Sequence, residues 1–273
     1  MNVSKWRKIR FHLMAIPFCF LILIPFYSLV VNSLKDKAGA AQMDLSFPFK
    51  MHVENFSTVY REAHILRALN NSLIITGCAV VFIILFSSMT AYVIERRKSK
   101  TTNVLMGIVL LGMTVPVFMV PTYMIAKHLH LTDSLLAMIF VSIALNFPYA
   151  VFLYTGFFKT IPREIDESAI IDGTGPYVLF FKIIFPLLLP VTVTNVIIQF
   201  LAVWNDFGTA VYFLNTPEKQ NLVMTTFLFF GAHAADWNLV FADLVFVSLP
   251  ALIVYIVLRR FVISGLTTGA VKG

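Results

Sequence analysis

Few residues in this sequence are placed to do chemistry, and they fall into three sets. His128 and His130 stand one residue apart, with Asp133 just beyond. These are zinc-ligand types, but no Cys and no further Asp or Glu lies at ligand spacing, so an interfacial loop suits them better than a metal site. Asp206 and Asp243 are acids at the edge of, or inside, long apolar stretches. Each reads either as the lining of a polar path or as a helix-end acid satisfied locally, and the local reading is preferred. The third set is a cluster of four acids, Glu164, Asp166, Glu167 and Asp172, ending at Gly173. What is missing narrows the chemistry further. The sequence has no G-x-x-x-x-G-K-[ST] loop to cradle a nucleotide phosphate, no G-x-S-x-G and no H-E-x-x-H. The expectation is a chain with no catalytic residues, no metal and no cofactor of its own, and not an enzyme.

The elements that carry these residues follow from composition. Of 273 residues, 59% are hydrophobic and 13% are charged, about half the charged share of a soluble domain. A soluble fold of this size leaves too much surface wetted to hide that much apolar area. Disorder is excluded by the same figures, and nothing calls for nucleic acid. Cys19 and Cys78 both sit in apolar runs, so no disulfide framework is implied. No Asp, Glu, Lys or Arg occurs in 11–34, 68–94, 101–126, 134–158 or 183–205, and about 238–258 holds Asp243 alone. Each run is long enough to cross about 30 Å of hydrocarbon as a helix, and none alternates as a β-barrel strand would. The reading is all-α, with six transmembrane helices. Fourteen of the 21 cations fall at the N-terminus, in 95–100, in 159–182 and at the tail, against seven in the other loops. The excess places both termini in the cytoplasm. The first run is longer than the core of a signal peptide and is read as an uncleaved span. Loop 35–67 is then a small extracytoplasmic cap, and 206–237 an extracytoplasmic loop.

Eight of the twelve prolines lie in or beside the apolar runs: Pro17, Pro25, Pro116, Pro121, Pro148, Pro186, Pro190 and Pro250. Proline removes a backbone donor and kinks a helix. Kinked helices suit a shape-changing protein, although proline is also commoner in membrane helices generally. Ion coupling normally needs charge at mid-membrane, and these runs hold almost none.

The acid cluster belongs to a segment unlike a plain connector. Pro162 suits the first turn of a helix, and Glu164, Asp166 and Glu167 suit its N-terminal dipole. Ile161, Ile165 and Ala169 share one face, and Gly173 is a natural stop. Pro176 then starts a second helix, with Tyr177, Phe180, Phe181 and Ile184 predicted on one face. The result is a helix–turn–helix elbow, either plugged into a protein partner or lying on lipid. Its acidity disfavours anionic lipid.

Glu167-Ser168-Ala169-x-x-Asp172-Gly173, followed by Ile184-Phe185-Pro186, resembles the EAA signature of permease subunits of ATP-binding-cassette importers, usually E-A-A-x-x-D-G then I-x-L-P. The sequence departs at Ser168, where Ala is usual, and at Phe185, where Leu is usual. Asn71-Ser72, Ala91-Tyr92, Pro121, Pro148, Trp204-Asn205-Asp206, Asp236-Trp237 and Ala242 resemble the carbohydrate-uptake branch. The tail, Gly265 with Gly269-Ala270-Val271-Lys272-Gly273, is similar to that of the smaller permease of maltose transporters, the MalG type.

The resemblance implies a type I ABC importer permease fold with a first helix and loop over 1–67, a permease core over 68–260 carrying the EAA loop at 160–186, and a cytoplasmic tail over 261–273. It implies half of a heterodimeric channel in the cytoplasmic membrane of a bacterium or archaeon. The partners would be a second homologous permease, two cytoplasmic ATPase subunits that bind the ATP, an extracytoplasmic solute-binding protein and membrane lipid. The cargo would be a sugar or oligosaccharide, with another small polar solute such as a glycerol phosphate as the alternative, and a stand-alone secondary carrier as the reading from a different class. Glu164, Glu167, Ser168, Ala169, Asp172 and Gly173 would dock on the ATPase, with Gly269, Ala270, Val271 and Lys272 near it. Trp204, Asn205 and Asp206 are candidates for the translocation path. Trp204 also suits an interfacial aromatic belt.

Overall fold

A computed structural model describes residues 3–230 and 235–270, with side chains for 16–17, 19–230 and 235–259. The chain runs α1 (Val3–Ser33), α2 (Lys37–Ala41), α3 (Glu54–Glu62), α4 (Ile65–Arg96), α5 (Lys100–Thr114), α6 (Met119–His128), α7 (Leu135–Phe158) and α8 (Glu164–Ile171). It continues through α9 (Pro176–Val178), a π-helical segment (Leu179–Ile184), α10 (Phe185–Leu187), α11 (Leu189–Trp204), α12 (Phe207–Phe213), α13 (Leu222–Thr225) and α14 (Trp237–Ala270). Among the described residues there is no strand, and one isolated bridge joins Phe230 to Ala235. The class is all-α.

Three helices are long and apolar enough to cross a bilayer unbroken: Ile65–Arg96, Leu135–Phe158 and Trp237–Arg259. Cys19–Ser33 is a shorter apolar helix within the described residues. The two remaining runs depart from the straight spans expected of them. Lys100–Thr114 and Met119–His128 meet at 118°, and Pro176–Leu187 and Leu189–Trp204 meet at 78°.

Proline supplies the reason in both cases. The residue before a proline is driven out of the helical region, and Val115, which precedes Pro116, has ψ 123°. The helix ends there, and α6 restarts four residues later with Pro121 in its first turn, where no amide donor is needed. In the other run, Pro186 cannot donate to the carbonyl four residues back. The backbone widens just before it, so that the Phe185 N–H donates to the Phe180 carbonyl, five residues away. Leu188 then sits at ψ −1°, with its N–H shared between Ile184 and Phe185, and Pro190 opens α11.

The chain divides into two compact units. The first comprises 1–66 and 225–249. Buried Asn55 of α3 donates to the Ser33 and Lys35 carbonyls at 2.9 Å each, which ties α3 to the end of α1. Asn238 of α14 donates to the Asn55 side chain at 2.8 Å, and Phe56 packs edge-on against Phe246.

The second unit comprises 67–224 and 250–273. One core cluster gathers Ile84, Ala91 and Ile94 of α4 with Val151, Tyr154 and Phe158 of α7 and with Leu179, Phe180 and Ile184 of the π-helical segment. A second gathers Ile75, Ala79 and Ile83 of α4 with Ala137 and Met138 of α7 and with Ala210 and Phe213 of α12. Helices α5 and α7 approach closely at Gly112. A Cβ there would sit 2.9 Å from Cγ of Pro148, so only glycine fits without displacement.

Candidate functional site

The acid cluster folds as an elbow. Arg163 caps α8, and Glu164, Asp166 and Glu167 occupy its first turn. Pro162 lies one residue before this cap, outside the first turn where the sequence pattern puts it. The Ile161 and Pro162 carbonyls face the Arg96 guanidinium at the end of α4 instead of starting the helix. Ile161 and Ala169 are buried and Ile165 packs against the same core, so the predicted face is the inner one.

Helix α8 ends in a Schellman motif. Gly173 has φ +75°, its N–H donates to the Ile170 carbonyl at 3.0 Å, and the Thr174 N–H donates to the Ala169 carbonyl at 3.0 Å. A left-handed residue costs a side chain about 1–2 kcal/mol, which is why glycine stands here. Pro176 opens α9 as N1. The second predicted face is corrected. Phe180 and Ile184 are buried, but Tyr177 and Phe181 are exposed, and Leu179 and Leu188 join the buried set. The π-helical winding lengthens the turn, so a 3.6-residue period misplaces the face.

What anchors the elbow is an ion pair that no local pattern announces. Arg96 lies 2.9 Å from the Asp166 carboxylate, and each side chain is about one-tenth exposed. The guanidinium also sits over the Phe158 ring at 5.8 Å. Arg163 answers from the other side, donating to the Glu95 carbonyl at 2.7 Å. A cleft of about 640 Å³ opens at this junction, lined among others by Glu95, Arg96, Lys98, Lys159, Arg163 and Glu164. With its inner face bolted to α4 and α7, the elbow leaves Glu164, Glu167, Ser168, Asp172 and Gly173 exposed beside Ile170, Ile171, Tyr177 and Val178. Ala169 alone of the candidate docking residues is buried.

The other candidates are dispersed. Trp204 is buried and stacks on Phe200 at 5.3 Å, which removes it from an interfacial belt. Asn205 is exposed and donates back to the Leu201 carbonyl at 2.9 Å, while Asp206 caps α12 by accepting from the Thr209 N–H at 2.9 Å. Asp243 is fully buried and accepts from the Thr225 and Thr226 hydroxyls, between 2.6 and 3.1 Å. Asp133 turns to the Thr216 N–H at 3.0 Å, the Thr216 hydroxyl and Lys219, and so is committed to a loop clip. Among the described residues no group of three His, Cys, Asp or Glu is placed to hold a metal ion. Gly269 and Ala270 continue the α14 backbone, and Val271 and Lys272 lie outside the described residues.

Relatives match this sequence over most of its length. The chain is 37% identical over 253 residues to the melibiose/raffinose/stachyose import permease protein MelC of Bacillus subtilis (strain 168), covering 92% of this chain and 91% of that one. It is 34% identical to AmyC of Thermoanaerobacterium thermosulfurigenes, a probable starch degradation products transport system permease, covering 91% of each. A chain of a bacterial ABC transporter involved in import of the acidic polysaccharide alginate has the same fold, with TM-score 0.80, 20% identity, and coverage of 95% of this chain and 98% of that one. Residues 83–266, which include the whole elbow, α7 and the C-terminal part of α4, match one family, and the chain belongs to it: the binding-protein-dependent transport system inner membrane components.

Proposed function

We propose that this chain is one permease subunit of an ATP-driven importer that moves a sugar or oligosaccharide across the cytoplasmic membrane of a bacterium or archaeon. The observation that carries the reading is the elbow: a rigid, glycine-capped helix pair fixed to the membrane helices by the Arg96–Asp166 pair, with acids and apolar side chains presented outward. The substrate class rests on relatives named for melibiose, raffinose, stachyose and starch degradation products. On this reading the chain has six spans, counting the two broken ones, and both termini are cytoplasmic, in line with the excess of cations there. The permease core is 68–260 with the EAA loop at 160–186, preceded by the helix and loop of 1–67 and followed by the tail 261–273.

The chain pairs with a second, homologous permease and stands on two ATPase subunits. A binding protein delivers the solute, and lipid surrounds the helices. ATP is bound by the ATPases, and this chain contributes neither cofactor nor catalysis. Glu164, Glu167, Ser168, Ala169, Asp172 and Gly173 form the docking element, and Gly269 to Lys272 lie near the same interface. Trp204, Asn205 and Asp206 are the candidates for the translocation path. To turn the cavity nearly completely from one side to the other, ATP binding must favour one state by about 5.5 kcal/mol, and the elbow is where that difference is applied.

The test is uptake. A strain lacking this chain is given a panel of α-galactosides and maltodextrins, and the purified complex is assayed in proteoliposomes. The expected result is uptake that needs ATP, the ATPases and the binding protein, and is lost in Gly173→Pro while membrane insertion persists. Solute movement by this chain alone, without ATPase, would overturn the proposal.

A further inference from the structure

Residues 43–53 alternate strictly between α2 and α3. Met43, Leu45, Phe47, Phe49, Met51 and Val53 are all exposed, and Phe49 is fully so. Met43 has a left-handed φ of 51°, residues 49–50 bend and Val53 takes helical angles, so these apolar residues are exposed along an irregular loop. The even-numbered set has other work. Asp44 pairs with Lys35 and accepts from the Ser46 hydroxyl at 2.7 Å, and His52 meets Glu54 at 2.6 Å. Asp44, Ser46 and Lys50 stay exposed alongside the apolar residues, and only Pro48 and His52 are half-buried.

Both ends of the segment are tied to one place. The Asp44 carbonyl accepts from Asn32 at 3.2 Å and from Lys35 at 3.1 Å, and the His52 N–H donates to the Leu34 carbonyl at 2.8 Å. All these partners lie at the C-terminal end of α1, which closes at Ser33. Phe49 is three residues from His52, so it stays within about 10 Å of that tether. The headgroup layer is itself about 5–8 Å deep. Helix α1 exposes Phe20, Leu21, Ile22, Leu23 and Ile24 in succession, hence on every side. One protein neighbour covers one side of a helix, and hydrocarbon covers the rest. The exposed apolar residues are thus continuous with a lipid-facing helix at the level where hydrocarbon ends.

We propose that residues 43–53 are an interfacial membrane anchor that seats Phe47, Phe49 and Met51 at the headgroup–acyl boundary beside the end of α1. Exposed Lys50 is the group that meets lipid phosphate, its stem lying along the apolar surface. The anchor fixes the end of a helix that carries Pro17 and Pro25. It requires only that α1 spans the bilayer, and so stands apart from the choice of cargo.

The experiment uses the full-length chain in vesicles of phosphatidylethanolamine and phosphatidylglycerol. Cys19 and Cys78 are replaced by Ser, and an environment-sensitive dye is placed in turn through Ser46→Cys, Phe47→Cys, Phe49→Cys, Lys50→Cys and Met51→Cys. Labels at 47, 49 and 51 are expected to be quenched several-fold more by lipids spin-labelled near the top of the acyl chain than by aqueous iodide, with the reverse at 46 and 50. Equal iodide access at all five sites would overturn the proposal. So would protection that appears only when a solute-binding protein or second permease is added, which would make the loop a protein interface. Phe49→Trp with brominated lipids, read as the difference from the parent chain, gives the same answer without cysteine labelling.

Discussion

Arg96, the last residue of α4, and Asp166, in the first turn of α8, form a 2.9 Å ion pair across seventy positions of sequence. Around it the guanidinium reaches the Ile161 carbonyl through both terminal nitrogens at 3.3 Å, so one side chain holds both the start of the elbow and the acid within it. Nearly buried ion pairs are weak evidence for stability as such, but removing one partner strands the other at a cost of about 3–5 kcal/mol. Asp166→Ala and Arg96→Ala are each expected to lower uptake strongly while the protein reaches the membrane. The double variant is expected to lose less than the sum of the singles. A double-mutant cycle on transport-coupled ATP hydrolysis checks this, and additive losses would mean that the two residues act independently.

Gly173 is a second test of the elbow, graded by backbone conformation. At φ +75°, with nothing within 4 Å of the point a Cβ would occupy, the only penalty for a side chain is strain. Gly173→Asn is expected to retain most activity, because asparagine tolerates the left-handed region. Gly173→Ala is expected to lose about 1 kcal/mol of elbow stability. Gly173→Pro forbids the angle and removes the N–H that reaches Ile170, so coupling should fail. The order Gly, Asn, Ala, Pro in uptake rate, at equal membrane level, is the outcome sought.

Much of this is legible in the sequence because it is local. Charge-free runs mark the apolar helices. Ile161, Ile165 and Ala169 mark the inner face of α8, and Gly173 marks its end. These are matters of period and of single-residue conformational preference. The rest depends on what is distant or on how strongly a helix deforms. Nothing near Arg96 or Asp166 names the other. Pro116 and Pro186 foretell kinks, but the 118° and 78° bends depend on where the chain resumes its helix. A 3.6-residue period places Tyr177 and Phe181 inward, and the π-helical segment does not keep that period. Trp204 is amphipathic by type, and its burial is set by the packing of other helices around it.

The approach of α5 to α7 gives a prediction independent of the elbow. A methyl group at residue 112 would meet Cγ of Pro148 at 2.9 Å and its Cβ at 3.4 Å, and a proline ring can yield only by a change of pucker. Gly112→Ala is therefore expected to destabilise the detergent-solubilised protein by about 1–3 kcal/mol, the usual cost of overpacking. Gly107→Ala, on the same helix with open space around it, is expected to be neutral or slightly stabilising, since alanine favours helix. Thermal unfolding of the two variants side by side separates crowding from helix propensity.

The clip at Asp133 makes a prediction about pH. Its carboxylate is drawn down from an ordinary 3.8 to about 2, first by the Thr216 hydroxyl, with the Thr216 N–H and Lys219 adding to the effect. A carboxylate whose value is lower in the folded state contributes stability that is fully present above the unfolded value and is lost as pH falls through the folded one. The contribution is therefore constant from about pH 5 upward, fades below 3.8 and is gone below about 2. The Asp133 side chain is 30% exposed and Lys219 41%, so the effect is small and salt-sensitive. Asp133→Asn should unfold at a slightly lower temperature than the parent at neutral pH, with the gap closing as the pH is lowered through that window. Lys219→Met should reproduce only part of the gap, because the two Thr216 bonds remain. A gap that persisted unchanged at the lowest pH would show that the carboxylate acts through its shape in the loop, where Asp133 itself takes a left-handed φ of 48°, and not through its charge.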